Sequence, residues 1–253
     1  MTDDAPNVTS PPPGSELERL LVARLHEEAV AVHGPDGDPE ALSRLRDVRE
    51  DFTRMRMYYR FGIQEVSTKI DILRQEFEDL YDYSPIEHVR TRLKSSDSLL
   101  AKAVRRGIEP TLAAIRAQIH DIAGIRITCS FVSDVYWIAA MLETQPDLTV
   151  IATKDYIAEP KPNGYRSLHL IVEVPVFLSS HTEHVPVELQ IRTIAMDFWA
   201  SVEHKLAYKY RTDMPARLAA ELDDAARVAA DLDERMGRLR DEVRPPGTEH
   251  GPP

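Results

Sequence analysis

The chain has 253 residues, 43% of them hydrophobic and 29% charged, which supplies apolar side chain for one sizeable core or two small ones and excludes a chain disordered throughout. Its formal net charge is −11, which excludes a general nucleic-acid or membrane-surface binder that draws its affinity from a basic surface; a polyanionic ligand must meet a local positive patch. A single cysteine, Cys129, leaves no intramolecular disulfide and no multi-cysteine metal cluster.

Residues 1–14 and 244–253 are rich in Pro and Gly without hydrophobic period, and read as disordered tails. The start is acidic where a secretory leader is basic and apolar. No apolar run approaches the roughly 18 to 20 residues that span a bilayer, so a cytoplasmic protein is expected. Residues 15–82 read as N-terminal helices. One covers about 16–33, and a longer one follows the break at His33-Gly34-Pro35-Asp36-Gly37. In the second, Phe52, Met55, Tyr59, Ile63, Val66, Ile70, Leu73, Phe77 and Leu80 follow a 3/4 spacing that predicts one apolar stripe, with Gly62 as a bending point.

Charge is unevenly spread. Basic minus acidic residues come to −8 over 1–85, +4 over 86–126, −4 over 127–210 and −3 over 211–253. The positive window holds Arg90, Arg92, Lys94, Lys102, Arg105, Arg106, Arg116 and Arg126. Concentrated within an acidic chain, it suits a small phosphate-rich ligand better than a duplex, although a solvated helix face presents the same run.

From about residue 121 to 193 the period changes to two. Ile125, Ile127, Cys129 and Phe131 alternate with Arg126, Thr128 and Ser130. Leu168, Leu170, Val172 and Val174 alternate with His169, Ile171 and Glu173, and Val185, Val187, Leu189 and Ile191 with Pro186, Glu188, Gln190 and Arg192. These are half-buried strands. A helix over about 134–144 and a strand near 148–157 fall between the first two, and a helix over about 194–208 follows the last. The expected fold is α/β (α+β), a mixed β-sheet flanked by helices. Leu218, Leu222, Ala225, Ala229, Leu232, Met236 and Leu239 restore the 3/4 spacing in a helix within 211–243, a stripe for core or subunit contact.

The polar positions of those strands offer Glu188, Gln190 and Arg192 on one, His169 on another and Arg126 on a third, with Asp121 just before it. A solvent-facing sheet surface shows the same mixture. Asp121 and Glu188 could instead converge on Mg²⁺, which is commonly held by one or two carboxylates plus substrate phosphates. A sharper signal is the loop from Glu159 to His169. Pro162-Asn163-Gly164 is ordinary turn chemistry, yet Lys161 and Arg166 flank Tyr165, offering cations for phosphates and a ring on which a purine can stack. No G-x-x-x-x-G-K-[ST], G-x-G-x-x-G or G-x-S-x-G is present, so side chains must bind phosphate. His120-Asp121 lacks the further upstream ligands of a metal-dependent phosphohydrolase, and His204 reads as a structural histidine.

Together these residues resemble the RelA/SpoT-type (p)ppGpp synthetases, and within them the small, synthetase-only alarmone synthetases. The resemblance rests on five ordered motifs over roughly half the chain: Tyr83 to Val89 with Arg92-Leu93-Lys94; Asp121 to Arg126; Tyr156-Ile157 with Lys161 to His169; Val187 to Thr193; and Met196 to Ser201. It implies a sheet of nucleotidyltransferase type over 83–210 that transfers pyrophosphate from ATP to the 3′ hydroxyl of GDP or GTP with Mg²⁺, by positioning and electrostatics.

On this resemblance Arg92 and Arg126 would sandwich adenine, while Lys94, Lys102 and Arg105 would contact the ATP phosphates. Asp121 and Glu188 would hold Mg²⁺, Glu188 also serving as base. Tyr165 would stack on guanine; Lys161, Arg166, His169, Gln190 and Arg192 would complete the GDP/GTP site. Arg166 stands where many relatives have Lys, and His88 and Arg90 also depart from the branch, so allosteric activation is not carried over. With only about 80 residues before the first motif, neither a hydrolase nor a ribosome-sensing domain is expected. A homo-oligomer is, with a tetramer favoured and the 211–243 helix as its contact, and neither membrane nor DNA is an expected partner. Two rivals stand: a toxin that pyrophosphorylates the tRNA 3′ end, and a catalytically silent nucleotide sensor.

Overall fold

In chain order the elements are α1 (Pro39–Leu80), β1 (Ile86–Leu93), α2 (Ser96–Arg106), α3 (Leu112–Gln118), β2 (Ala123–Cys129), α4 (Val132–Glu143), β3 (Thr149–Asp155), β4 (Leu168–Phe177), β5 (Thr182–Thr193), α5 (Ile194–Lys209) and α6 (Ala216–Val243). This computed structural model describes residues 39–81, 83–109, 111–209 and 214–243; the expected tails and the helix over 16–33 lie outside them. No helix among the described residues is long and apolar enough to cross a membrane. The chain divides into two units, Met1–Arg56 with Lys94–Ile119, and Met57–Leu93 with His120–Pro253.

The larger unit carries one five-stranded sheet in the order β1-β2-β5-β4-β3. β2 and β5 run parallel, and every other neighbouring pair is antiparallel. That parallel pair needs a long crossover, supplied by α4, β3 and β4. One sheet face is apolar: Ile125, Ile127, Leu170, Val172, Val185, Val187, Leu189 and Ile191 are all at most 1% exposed. On α1, every predicted stripe residue from Phe52 to Phe77 is buried, while Leu80 is exposed. The helix runs unbroken through Gly62. A Cβ there would lie 2.7 Å from Val185 Cγ1, so this glycine lets α1 approach β5 and does not bend the helix. Phe77 meets Trp137 of α4 with ring centroids 4.9 Å apart.

The expected strands and helices are present, and β5 starts earlier than its alternation indicated. β1 was not legible: Ile86 is its only buried residue, the mark of an edge strand rich in charge. The stripe expected on α6 for core or subunit contact does not face the core of the chain. Ala225, Leu232, Met236 and Leu239 are exposed, and Ala226 and Asp233 are buried in their place. The cause is a contact that demands a small residue. Ala226, Asp233 and Arg240 recur every seven residues and so share one face. Ala226 lies under Gly164, Asp233 accepts from Thr193 Oγ1 at 2.7 Å, and Arg240 meets Ser133 and Asp134 and stacks 4.7 Å over Phe131.

In the smaller unit Ser95 caps α2, accepting from Ser98 N at 3.3 Å, and Gly107 ends it at φ 64°, a conformation glycine adopts without steric penalty. Thr111 caps α3 in the same way at 3.2 Å. Arg56 donates to Lys94 O at 3.2 Å and to Ser96 Oγ at 3.1 Å. The basic window is thus divided between strands β1 and β2 of the larger unit and helices α2 and α3 of the smaller one.

Candidate active site

The register of the sheet sets its second face. Arg126 pairs with Gln190, Gln190 with His169, and Gly124 with Glu188. Partners directly opposite one another share a face, so Arg126, His169, Glu188, Gln190 and Arg192 project together. This is not a solvated surface, since Arg192 is 3% exposed and His169 7%.

Five side chains close a ring of hydrogen bonds. Arg192 Nη2 donates to Tyr165 Oη and, at 2.9 Å, to Gln190 Oε1. Tyr165 Oη lies 2.8 Å from His169 Nε2, and His169 Nδ1 lies 3.2 Å from Glu188 Oε1. Gln190 Nε2 donates to Glu188 Oε2 at 2.9 Å. The imidazole of His169 thus bridges the Tyr165 hydroxyl and the Glu188 carboxylate. Both arms therefore run from the guanidinium of Arg192 to the carboxylate of Glu188. Burial would push the Glu188 carboxyl up, but the hydrogen bonds from His169 and Gln190 outweigh it and hold the group below its ordinary value. The charge of Asp121 acts on it in the opposite sense, so the two carboxylates feel one another.

Around the ring, Asp197 on α5 forms ion pairs with two guanidinium groups, Arg126 at 3.1 Å and Arg192 at 3.3 Å, the second also donating a hydrogen bond. Burial and the neighbouring Arg192 charge lower the Arg126 pKa, and Asp197 offsets part of this. Lys161 Nζ lies over two rings, 4.5 Å from the centroid of Tyr156 and 4.6 Å from that of Tyr165. Burial lowers its pKa as well, against the nearby charge of Glu188. Arg166 turns back to donate to Ile157 O at 3.1 Å, bracing the loop.

The structure thus brings together Glu188, Arg126, Lys161, Tyr165, His169, Gln190 and Arg192, with Asp121 in electrostatic contact and Arg92 beside Gly124 on the edge strand. Lys94, Lys102 and Arg105 belong to the smaller unit. There Lys102 and Arg105 stand one turn apart on α2 and Lys94 just precedes it. Lys154, opposite His169 on β3, escaped the sequence reading, and Tyr156 and Asp197 were read as parts of motifs without a site role. Residue parity would have found Lys154, but β3 slips register between Val150 and Ala152, and alternation cannot be carried across such a slip.

Asp121 and Glu188 fit a bound Mg²⁺. Glu188 favours its ionised form and feels the charge of Asp121. Two carboxylates are the protein's share when nucleotide phosphates fill the rest of the shell.

Comparison with known proteins agrees with this layout. Residues 91–213 match the model of a region found in RelA and SpoT proteins. GTP pyrophosphokinase YwaC of Bacillus subtilis (strain 168) is 48% identical over 199 residues, 79% of this chain and 95% of the relative. Small alarmone synthetase 1 from Bacillus subtilis bound to its product pppGpp superposes with a TM-score of 0.72 at 42% identity, covering 78% of this chain and all of that one. The same enzyme bound to AMPCPP gives a TM-score of 0.66 at 39% identity, covering 77% and 98%. The chain belongs to the RelA/SpoT family of (p)ppGpp synthetases, in its small alarmone synthetase branch.

Proposed function

We propose that this chain transfers the pyrophosphate of ATP to the 3′ hydroxyl of GDP or GTP, releasing AMP and forming ppGpp or pppGpp. The observation that carries the reading is the closed ring, which ties an aromatic platform, Tyr165, to an ionised carboxylate, Glu188, through a single imidazole. Guanine stacked on Tyr165 would set its ribose toward Glu188, with Lys161 at the acceptor phosphates, while Arg166 braces the loop. Arg92 and Arg126 are diagonal neighbours across β1 and β2. Such neighbours lie roughly 7 Å apart, which leaves room for one planar base between two guanidinium planes.

In the transfer the 3′ oxygen attacks the β-phosphorus in line, the bond from that phosphorus to the α,β-bridging oxygen breaks, and AMP leaves with the electron pair. Glu188 is placed to take the hydroxyl proton. Asp121 and Glu188 would hold Mg²⁺, which when bound neutralises phosphate charge. Arg126, Arg192 and Lys161 supply fixed positive charge on the same face, where a water-poor setting strengthens it.

Self-association belongs to this reading. Ile194, Phe198, Val228, Leu232 and Met236 line an apolar groove of about 720 Å³ between α5 and α6, and a patch of this kind is uncommon on a protein that stays single. Sedimentation velocity of the purified chain tests it, with a tetramer expected.

Purified protein with ATP labelled in its β-phosphate and Mg²⁺, offered GMP, GDP, GTP or bulk tRNA separately, tests the activity. Label in a guanosine tetra- or pentaphosphate is the expected result. Label on tRNA alone, or no transfer at all, overturns the assignment.

A further inference from the structure

The loop that carries Tyr165 does not stand by itself. Its backbone is held by Gly164 N donating to Lys161 O at 2.8 Å and Lys161 N donating to Tyr165 O at 3.1 Å. At its tip Gly164 adopts φ +81°, and a Cβ there would fall 2.4 Å from the Cβ of Ala226 on α6. That separation leaves no room for a methyl group on either side of the contact beyond the one already present. The Tyr165 ring packs against Trp199, Ala200 and Ala226. Trp199 in turn donates to Leu222 O at 2.9 Å, which fixes α5 to α6 one turn before the contact.

The other end of the same helix face is anchored to the strand that bears Glu188. Asp233, two turns after Ala226, accepts from Thr193 at the end of β5. One rigid helix thus spans from the tip of the loop to the end of β5, and its residue at 226 sets how far the loop can settle toward the sheet.

We propose that Ala226 is a positioning residue for the acceptor nucleotide: α6 is the seat of the Tyr165 loop, and the small side chain at 226 determines where the ring stands relative to Glu188. This rests on the assignment of Tyr165 to the acceptor. A larger side chain at 226 lifts the loop and with it the stacking ring, while Arg92 and Arg126, on β1 and β2, keep their places. The signature is a split between substrates. In general a displacement near 1 Å is enough for about a hundredfold loss.

The test measures KM for GDP and for ATP separately, with kcat, in Ala226→Leu, in Ala226→Val and in the conservative Ala226→Ser. The expected result is a rise of roughly tenfold or more in KM for GDP in the Leu variant, a smaller rise in Val, values near wild type in Ser, and KM for ATP within about threefold throughout. An unchanged KM for GDP in a folded Leu variant overturns the proposal, as does an equal rise for both substrates. If neither enlarged variant folds, hydrogen exchange of the wild-type chain decides. The amides of Lys161 and Gly164 should open together with those of α6 around Ala226, and independent opening of the loop overturns the seat. A wild-type chain that transfers no pyrophosphate refutes the functional assignment instead, and the exchange measurement still reports on the seat.

Discussion

The two nucleotide sides of this site are built differently. On the acceptor side, Tyr165, His169, Glu188, Gln190 and Arg192 fix one another in a ring on two central strands, with α6 behind the loop. On the proposed donor side, Arg92 is an exposed residue of the edge strand β1. A side chain held by several partners is oriented before substrate arrives, whereas an exposed one loses rotamer freedom on binding. Preorganised charge acts mainly on the rate of the chemical step, and an adaptable cation acts mainly on affinity.

That contrast is broken most directly at Glu188. Glu188→Gln keeps the volume and removes the charge at which both arms of the ring end. Transfer should fall by about a thousandfold or more, with an unchanged circular dichroism spectrum. Retention of full activity would remove both the base and the metal assignment. Tyr165→Ala should raise KM for the guanosine acceptor about ten- to a hundredfold, the equivalent of one lost stacking platform, and leave KM for ATP nearly unchanged. Arg92→Ala is the counterpart on the donor side. KM for ATP should rise by about three- to tenfold with kcat close to wild type, as steady-state kinetics with each substrate varied would establish.

The smallest effect concerns stability and lies at the helix that backs the acceptor side. Burial raises the Asp233 carboxyl to about 6, against the hydrogen bond from Thr193 and the charge of Arg166. The folded chain therefore holds this proton more tightly than the unfolded chain, whose value is about 4. Its contribution to stability is full below that value and is lost as pH rises through 6. Asp233→Asn keeps an acceptor for Thr193 and removes the ionisation. It should raise the thermal midpoint at pH 8, by about 1 to 3 kcal/mol in stability, with the advantage gone near pH 4. An equal effect at both pH values would show that Asp233 is not protonated in the fold.

How much could be read beforehand also divides along this line. The central strands carry apolar residues at every second position, so β2, β4 and β5 were legible, and with them the common face of Arg126, His169, Glu188, Gln190 and Arg192. β1 was not, because an edge strand facing water does not need alternation. The α6 stripe was read as a helix for core or subunit contact, and within the chain it does not face the core. Apolar spacing reports which residues avoid water, and here a close approach to Gly164 selected the small Ala226 over the larger residues beside it. Lys154 was hidden because it lies beyond a register slip from the residues whose alternation defines β3.

The single parallel pair in the sheet bears on how the protein acquires its activity. β2 and β5 cannot meet until the whole intervening stretch, with α4 and the β3, β4 and β5 hairpins, has been made and folded back. Pairings so far apart in sequence form slowly, because loop-closure entropy is spent before any contact compensates it. Asp121 and Glu188 stand on opposite sides of that closure. A chain emerging from the ribosome therefore forms its β4–β5 hairpin locally before β5 pairs with β2, and on the proposed role of Glu188 partial products of synthesis or proteolysis that lack β5 should show no pyrophosphate transfer.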